Sequence, residues 1–186
     1  DPCSECELLI SENILEESEE VINFIDGEIQ NKYEFEIYNS KITLYYTIDS
    51  LLLNDFKALP RKYNRSKDDT DAIFNSNYYK MFFKEEGADG AFENILSSLR
   101  ESEVAKKFGL IQVVTSLVQS IEYDKNANDT KYPYETFALN KGDCDDKSLL
   151  LSKFLSRINL NVVLFTFKKG EHATLGVKSI DENIEL

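Results

Sequence analysis

The sequence predicts an α+β fold, on three observations. Tyr33-Glu-Phe-Glu-Ile37 and Ile42-Thr-Leu-Tyr-Tyr-Thr-Ile48 alternate apolar and polar residues, the period of a strand with one buried face. Glu103 to Ile121 and Ser148 to Ile158 repeat their apolar residues at helical spacing. A closing pair of β-branched and aromatic runs, Asn161 to Phe167 and His172 to Lys178, flanks the turn Lys168-Lys-Gly170.

In chain order, Asp1-Pro-Cys-Ser-Glu-Cys6 holds a C-x-x-C pair. Zinc would need about four ligands, and Cys144 and His172 are the only other soft donors; a redox pair would normally open a helix after a strand. The sequence favours a terminal disulfide or two idle thiols. From Glu7 to Ile25 the apolar residues Leu8, Leu9, Ile14, Leu15, Val21, Ile22 and Ile25 fit an acidic amphipathic helix, with a break near Ser18. The alternating runs follow as a β-hairpin, with Tyr38-Asn-Ser-Lys41 as its turn. Asp49 or Ser50 caps a short helix carrying Leu52, Leu53, Phe56 and Leu59, ended by Pro60. Arg61 to Asp71 is a charged loop; Lys67-Asp-Asp-Thr-Asp71 lacks the glycine and terminal glutamate of an EF-hand and reads as a solvated charge run. Tyr78 to Phe83 and Ala91 to Leu99 are helix segments separated by Gly87 and Gly90, and Asp124 to Tyr132 is an Asn-rich loop.

A chain of 186 residues, 42% hydrophobic, can bury a sizeable core as a single domain. Within it, residues 1–100 read as N-terminal helices and a hairpin added to a core over 101–186. A net charge of -13 repels phosphate backbones and anionic headgroups, which argues against nucleic acid as a partner. No run of 18 apolar residues suggests membrane insertion, so the chain is expected to be soluble. Its start lacks a signal peptide, which does not assign it to the cytoplasm: a processed or trimmed extracytoplasmic fragment would begin the same way.

The chemistry gathers at Gly142-Asp-Cys-Asp-Asp146. Asp143 is a good N-cap, which puts Cys144 in the first helical turn with the apolar face of Ser148 to Ile158 behind it. The helix terminus lowers a thiol pKa, but the neighbouring carboxylates oppose a thiolate. A cationic partner is required, and His172 is the chain's single histidine. Alternation along its strand puts His172, Thr174, Gly176 and Lys178 on one face and Ala173, Leu175 and Val177 on the other. If the helix packs across the closing hairpin, imidazole and thiol meet. A metal site built from Cys144, His172 and an aspartate has suitable ligand types but no supporting spacing, so neither metal nor cofactor is expected.

These residues are similar to the transglutaminase-like cysteine proteins, in particular a bacterial and archaeal group. The resemblance is carried by Val118, Gln119, Ile121 and Tyr123; by Tyr132, Pro133, Glu135 and Thr136; by Gly142, Asp143, Cys144 and Asp146; and by His172, Gly176 and Val177. It covers about the last 75 residues, and more weakly the hairpin from Tyr33 to Ile48. The resemblance implies a papain-like core with the cysteine-bearing helix on an antiparallel sheet, Cys144 as nucleophile and His172 as general base and acid. It further implies an Asp, Asn or Glu on the next strand to orient the imidazole. The chain stops at Asp181-Glu-Asn-Ile-Glu-Leu186, where that strand would begin. Either Asp181 or Asn183 bends back to His172, or the orienting residue lies beyond a truncation, or there is none. By analogy Gln119 supplies an oxyanion donor. Asp146 and Glu135 are expected to accept hydrogen bonds from loop amides, and Tyr123 and Tyr132 to line the cleft or pack in the core.

The function expected is cysteine-dependent acyl transfer on peptide or glutamine-type amides through a thioester, with hydrolysis preferred to cross-linking and a protein or peptide as substrate. The alternative is a non-catalytic interaction module that keeps the fold without a complete triad.

Overall fold

A computed structural model describes residues 17–24, 30–83, 87–167 and 172–178. It is a mixed α+β structure. The first sheet holds β1 (Ser18–Phe24), β2 (Gln30–Ile37) and β3 (Ser40–Thr47) in the order β1-β3-β2. β2 and β3 form the expected antiparallel hairpin, with Tyr33 opposite Leu44 and Phe35 opposite Ile42. Those four side chains are buried, while Lys32, Glu34 and Glu36 between them are exposed, so one face of the hairpin makes core.

β1 corrects the expected helix. Ser18–Phe24 runs parallel to β3, from Ser18 opposite Ser40 to Phe24 opposite Tyr46. Its inward residues are Glu20 and Ile22, two apart, and Val21 between them is exposed. Spacing that suits a helix was overridden by pairing with β3, whose buried edge would otherwise leave its amides without partners. Residues 1–16, including Cys3, Cys6 and the first part of that expected helix, lie outside the described residues.

Seven helices follow among the described residues. α1 (Ser50–Ala58) is capped as anticipated: Asp49 Oδ1 accepts from the N–H of Leu51 at 2.9 Å and of Leu52 at 3.0 Å. α2 (Asp71–Phe83) and α3 (Asp89–Glu101) cover the two aromatic segments, Gly90 lying inside α3. The single helix expected from Glu103 to Ile121 is two, α4 (Glu103–Phe108) and α5 (Leu110–Ser120). They break at Gly109, whose φ of 88° is closed to most residues and easy for glycine. Glu20 of β1 accepts from the N–H groups of Glu103 and Val104 at 2.8 and 2.7 Å, an anion satisfying the start of α4.

α6 (Pro133–Leu139), which the sequence reading did not separate from the cysteine stretch, has proline in its first turn and the left-handed Asn140 as its end. Its buried Phe137 stacks on Tyr33 at 4.6 Å, and the Tyr33 hydroxyl donates to the Phe137 carbonyl at 2.7 Å. Hairpin and cysteine stretch therefore share one core, continued by Phe92 and Phe154. α7 (Cys144–Arg157) lies at the centre, against α5, α6, β6 (Val162–Phe167) and β7 (His172–Val177). β6 and β7 pair antiparallel, Phe167 opposite His172. Among the described residues no helix is long and apolar enough to cross a membrane.

Candidate active site

Cys144 opens α7 because of the carboxylates around it. Asp143 accepts the Asp146 N–H at 3.0 Å and Asp146 accepts the Asp143 N–H at 3.2 Å, a reciprocal capping box. Asp146, fully buried, also accepts the Lys131 N–H at 2.6 Å and its ammonium at 2.9 Å. Lys131 reaches Asp124 as well, at 3.1 Å. This network straps the Asp124–Lys131 loop to the start of α7. Burial opposes the charge on Lys131, but Asp146 and Asp124 outweigh it and hold the ammonium above its ordinary range.

Gly142 makes the fit possible. A Cβ there would meet Asp146 Cβ and Thr136 Cγ2 at 2.8 Å. Lys141 and Gly142 (β5) pair in parallel with Glu122 and Tyr123 (β4), which draws the end of α5, and with it Gln119, toward the start of α7.

The expectation that Asp146 takes loop amides holds in this geometry. Glu135 differs: it accepts from the Arg61 guanidinium at 2.8 Å, while Arg61 also donates to the Thr130 carbonyl at 3.0 Å. A basic residue more than seventy positions away reaches it only through the packing of α1 against α6. Tyr132 is core: its ring lies 4.8 Å from Phe82 and its hydroxyl donates to the Pro60 carbonyl.

Two cavities meet at Cys144. One of about 540 Å³ is bounded by Tyr79, Tyr123, Asp145 and His172; the other, of about 350 Å³, by Gln119, Tyr123, Lys147, His172 and Ala173. Cys144, His172 and Tyr123 belong to both. His172 is on the exposed face of β7 and Ala173 on the buried face, as alternation predicts. Gln119 is exposed at the rim, and its main-chain carbonyl accepts from Lys147 at 3.1 Å. Asp181 and Asn183 lie outside the described residues.

The thiol is half-buried. It donates to Asp145 Oδ1 at 3.6 Å, and the other oxygen of Asp145 accepts the Tyr79 hydroxyl at 2.7 Å. Burial pushes the Cys144 thiol above its ordinary value; the Ala173 N–H directed at Sγ works the other way, and the charges of Asp145 and Asp143 add to the rise. The thiol therefore rests protonated at neutral pH. Burial, reinforced by Asp145, keeps the Tyr79 phenol protonated too.

Tyr79 is the site residue that sequence reading missed. Its helical spacing beside Met81, Phe82 and Phe83 marks it as core, and no local signal aims its hydroxyl at a residue 66 positions on. Among the described residues no group of three or more His, Cys, Asp or Glu side chains is arranged to hold a metal ion. Compared with protein-family models, with curated proteins and with solved structures, the chain gives no match in any of the three.

Proposed function

We propose that the chain is a transglutaminase-like, papain-like cysteine enzyme that hydrolyses peptide or glutamine-type amides. The observation that carries this reading is that Cys144, at the start of α7, and His172, at the start of β7, line the same two cavities although 28 positions separate them. Supporting it, the N–H of Ala173, next to His172, is directed at the thiol.

Because the thiol rests protonated, attack needs a base during the reaction. His172 takes the Sγ proton as sulfur bonds to the carbonyl carbon, then gives that proton to the leaving amine as the C–N bond breaks. Water attacks the thioester, His172 accepts the water's proton, and the acid leaves as the thiol is restored. The backbone N–H of Cys144 and the Gln119 side chain are assigned to the oxyanion, and Asp181, a candidate for orienting the imidazole, lies outside the described residues.

A second reading, an interaction module without catalysis, is favoured by the bond that directs the thiol hydrogen to Asp145. Cleavage of a peptide library followed by mass spectrometry separates the two. The enzyme reading expects Cys144→Ala to abolish cleavage and His172→Ala to lower kcat/KM by about 10²–10⁴. Absence of cleavage by the wild type, or a His172→Ala variant as active as wild type, leaves the module.

A further inference from the structure

A cavity of about 750 Å³ separates α2 from β6, and the reading of Cys144 as nucleophile does not use it. One side is the edge of a strand. The Lys178 N–H donates to the Asn161 carbonyl at 2.8 Å, which makes Asn161 and Lys178 a hydrogen-bonded pair of the β6–β7 ladder. In an antiparallel ladder such pairs alternate, so Val163, Phe165 and Phe167 spend their backbone groups on β7. Val162, Leu164 and Thr166 then turn three N–H and three C=O groups away from β7. These three residues line the cavity together with Val163, and among the described residues β7 is the only strand beside β6. The same parity frees the Ala173 N–H for Cys144 on the opposite edge.

Facing this edge are Asn75, Tyr79 and Phe83 of α2. Asn75, Tyr79 and Thr166 also line the cavity that holds Cys144 and His172, so edge and thiol share one continuous groove. Its thiol end is acidic: Asp143 and Asp145 stand there against Lys125, while Asp124 beside them is already paired with Lys131 and Lys141. Backbone groups two residues apart that have no strand partner among the described residues match one kind of occupant, an extended chain. A second copy of this protein, itself at a net charge of -13, is repelled from such a groove; a cationic segment is attracted.

We infer that the substrate is an extended peptide that adds as a strand to the free edge of β6, with apolar side chains in the groove under α2 and a lysine or arginine at the acidic end beside Cys144. The inference rests on the proposed peptide-directed activity and adds the mode of binding and the sequence preference. Val162 to Thr166 spans about 13 Å, enough to pair with about five residues.

The test uses Cys144→Ala protein and fluorescent six-residue peptides of alternating valine and threonine, carrying lysine or glutamate at one end or the other. Binding is read by anisotropy for each peptide and for its singly N-methylated forms. Lysine peptides are expected to bind more tightly than glutamate ones. N-methylation at alternate residues should weaken binding about tenfold or more, with the intervening positions changing it by about twofold or less. Because the scan alters the peptide, folding of the protein does not enter. A flat scan, no binding by any peptide, or β6 covered by a second copy in sedimentation with no period-two effect overturns the inference. Absence of wild-type cleavage with the period-two scan intact removes the proposed activity and keeps the groove. Cleavage with a flat scan does the reverse.

Discussion

Asp145 accepts the thiol hydrogen of Cys144 at 3.6 Å, on one oxygen of a carboxylate whose other oxygen is held by Tyr79. A residue adjacent to Cys144 thus stabilises its protonated thiol, and Tyr79 of α2 shares the carboxylate that does so. Two substitutions should move the thiol in opposite directions. Asp145→Asn removes a negative charge and a strong acceptor, so alkylation of Cys144 by iodoacetamide at neutral pH should quicken relative to wild type. Tyr79→Phe removes the donor that shares this carboxylate, leaves it a stronger acceptor for the thiol hydrogen, and should slow it. Rate profiles across pH, with Cys144→Ala subtracting the other thiols, read both; the same direction for both variants would show that Asp145 does not govern the thiol.

The Lys131–Asp146 pair should be costly to break from one side. Asp146 is wholly buried and Lys131 nearly so, and Lys131→Met strands a carboxylate that keeps only backbone donors. Urea unfolding at neutral pH should show a loss of about 3 kcal/mol, and the double variant with Asp146→Asn should lose less than the two single losses summed. The pH dependence has a definite sign. A raised Lys131 value means that its contribution is complete below the ordinary 10.5 and is lost as pH climbs through the higher folded value. Wild type should therefore weaken in that alkaline window more than Lys131→Met does.

Two glycines offer a contrast in what surrounds them. At Gly142 an added methyl meets backbone-proximal atoms of Asp146 and Thr136, both fixed in the core. Gly142→Ala should cost about 1–3 kcal/mol and displace the start of α7, seen as a lower melting temperature and altered Cys144 alkylation. At Gly176 the clash is with the end of the Phe165 ring, which is about half exposed and can swing away. Gly176→Ala should stay within about 0.5 kcal/mol of wild type. Equal losses at the two positions would refute this account.

What could be read in advance was chemistry that stays within a few residues. The hairpin declared itself through Tyr33, Phe35 and Ile37 alternating with charge, the cap of α1 through Asp49, and the opening of α7 through Asp143. Ser18–Phe24 is a strand although its spacing suits a helix, because seven residues with Val21 and Ile22 side by side fit either period and pairing with β3 makes the choice. Gly109 was in plain view, but an apolar stripe on both sides of it looks continuous until φ is known.

The sequence by itself determined the local elements and their polarity: which face of the hairpin is apolar, where α7 begins, and that its first turn is acidic, since these depend on neighbours along the chain. Only the tertiary structure decided what the acidic turn does. Asp146 became a strap to Lys131, Asp145 an acceptor between Cys144 and Tyr79, and Glu135 a partner for Arg61, although all three are carboxylates in the first turn of a helix. Burial and the groups brought in from distant elements assign those roles, because the energy of a carboxylate is set by the donors and charges that surround it in space.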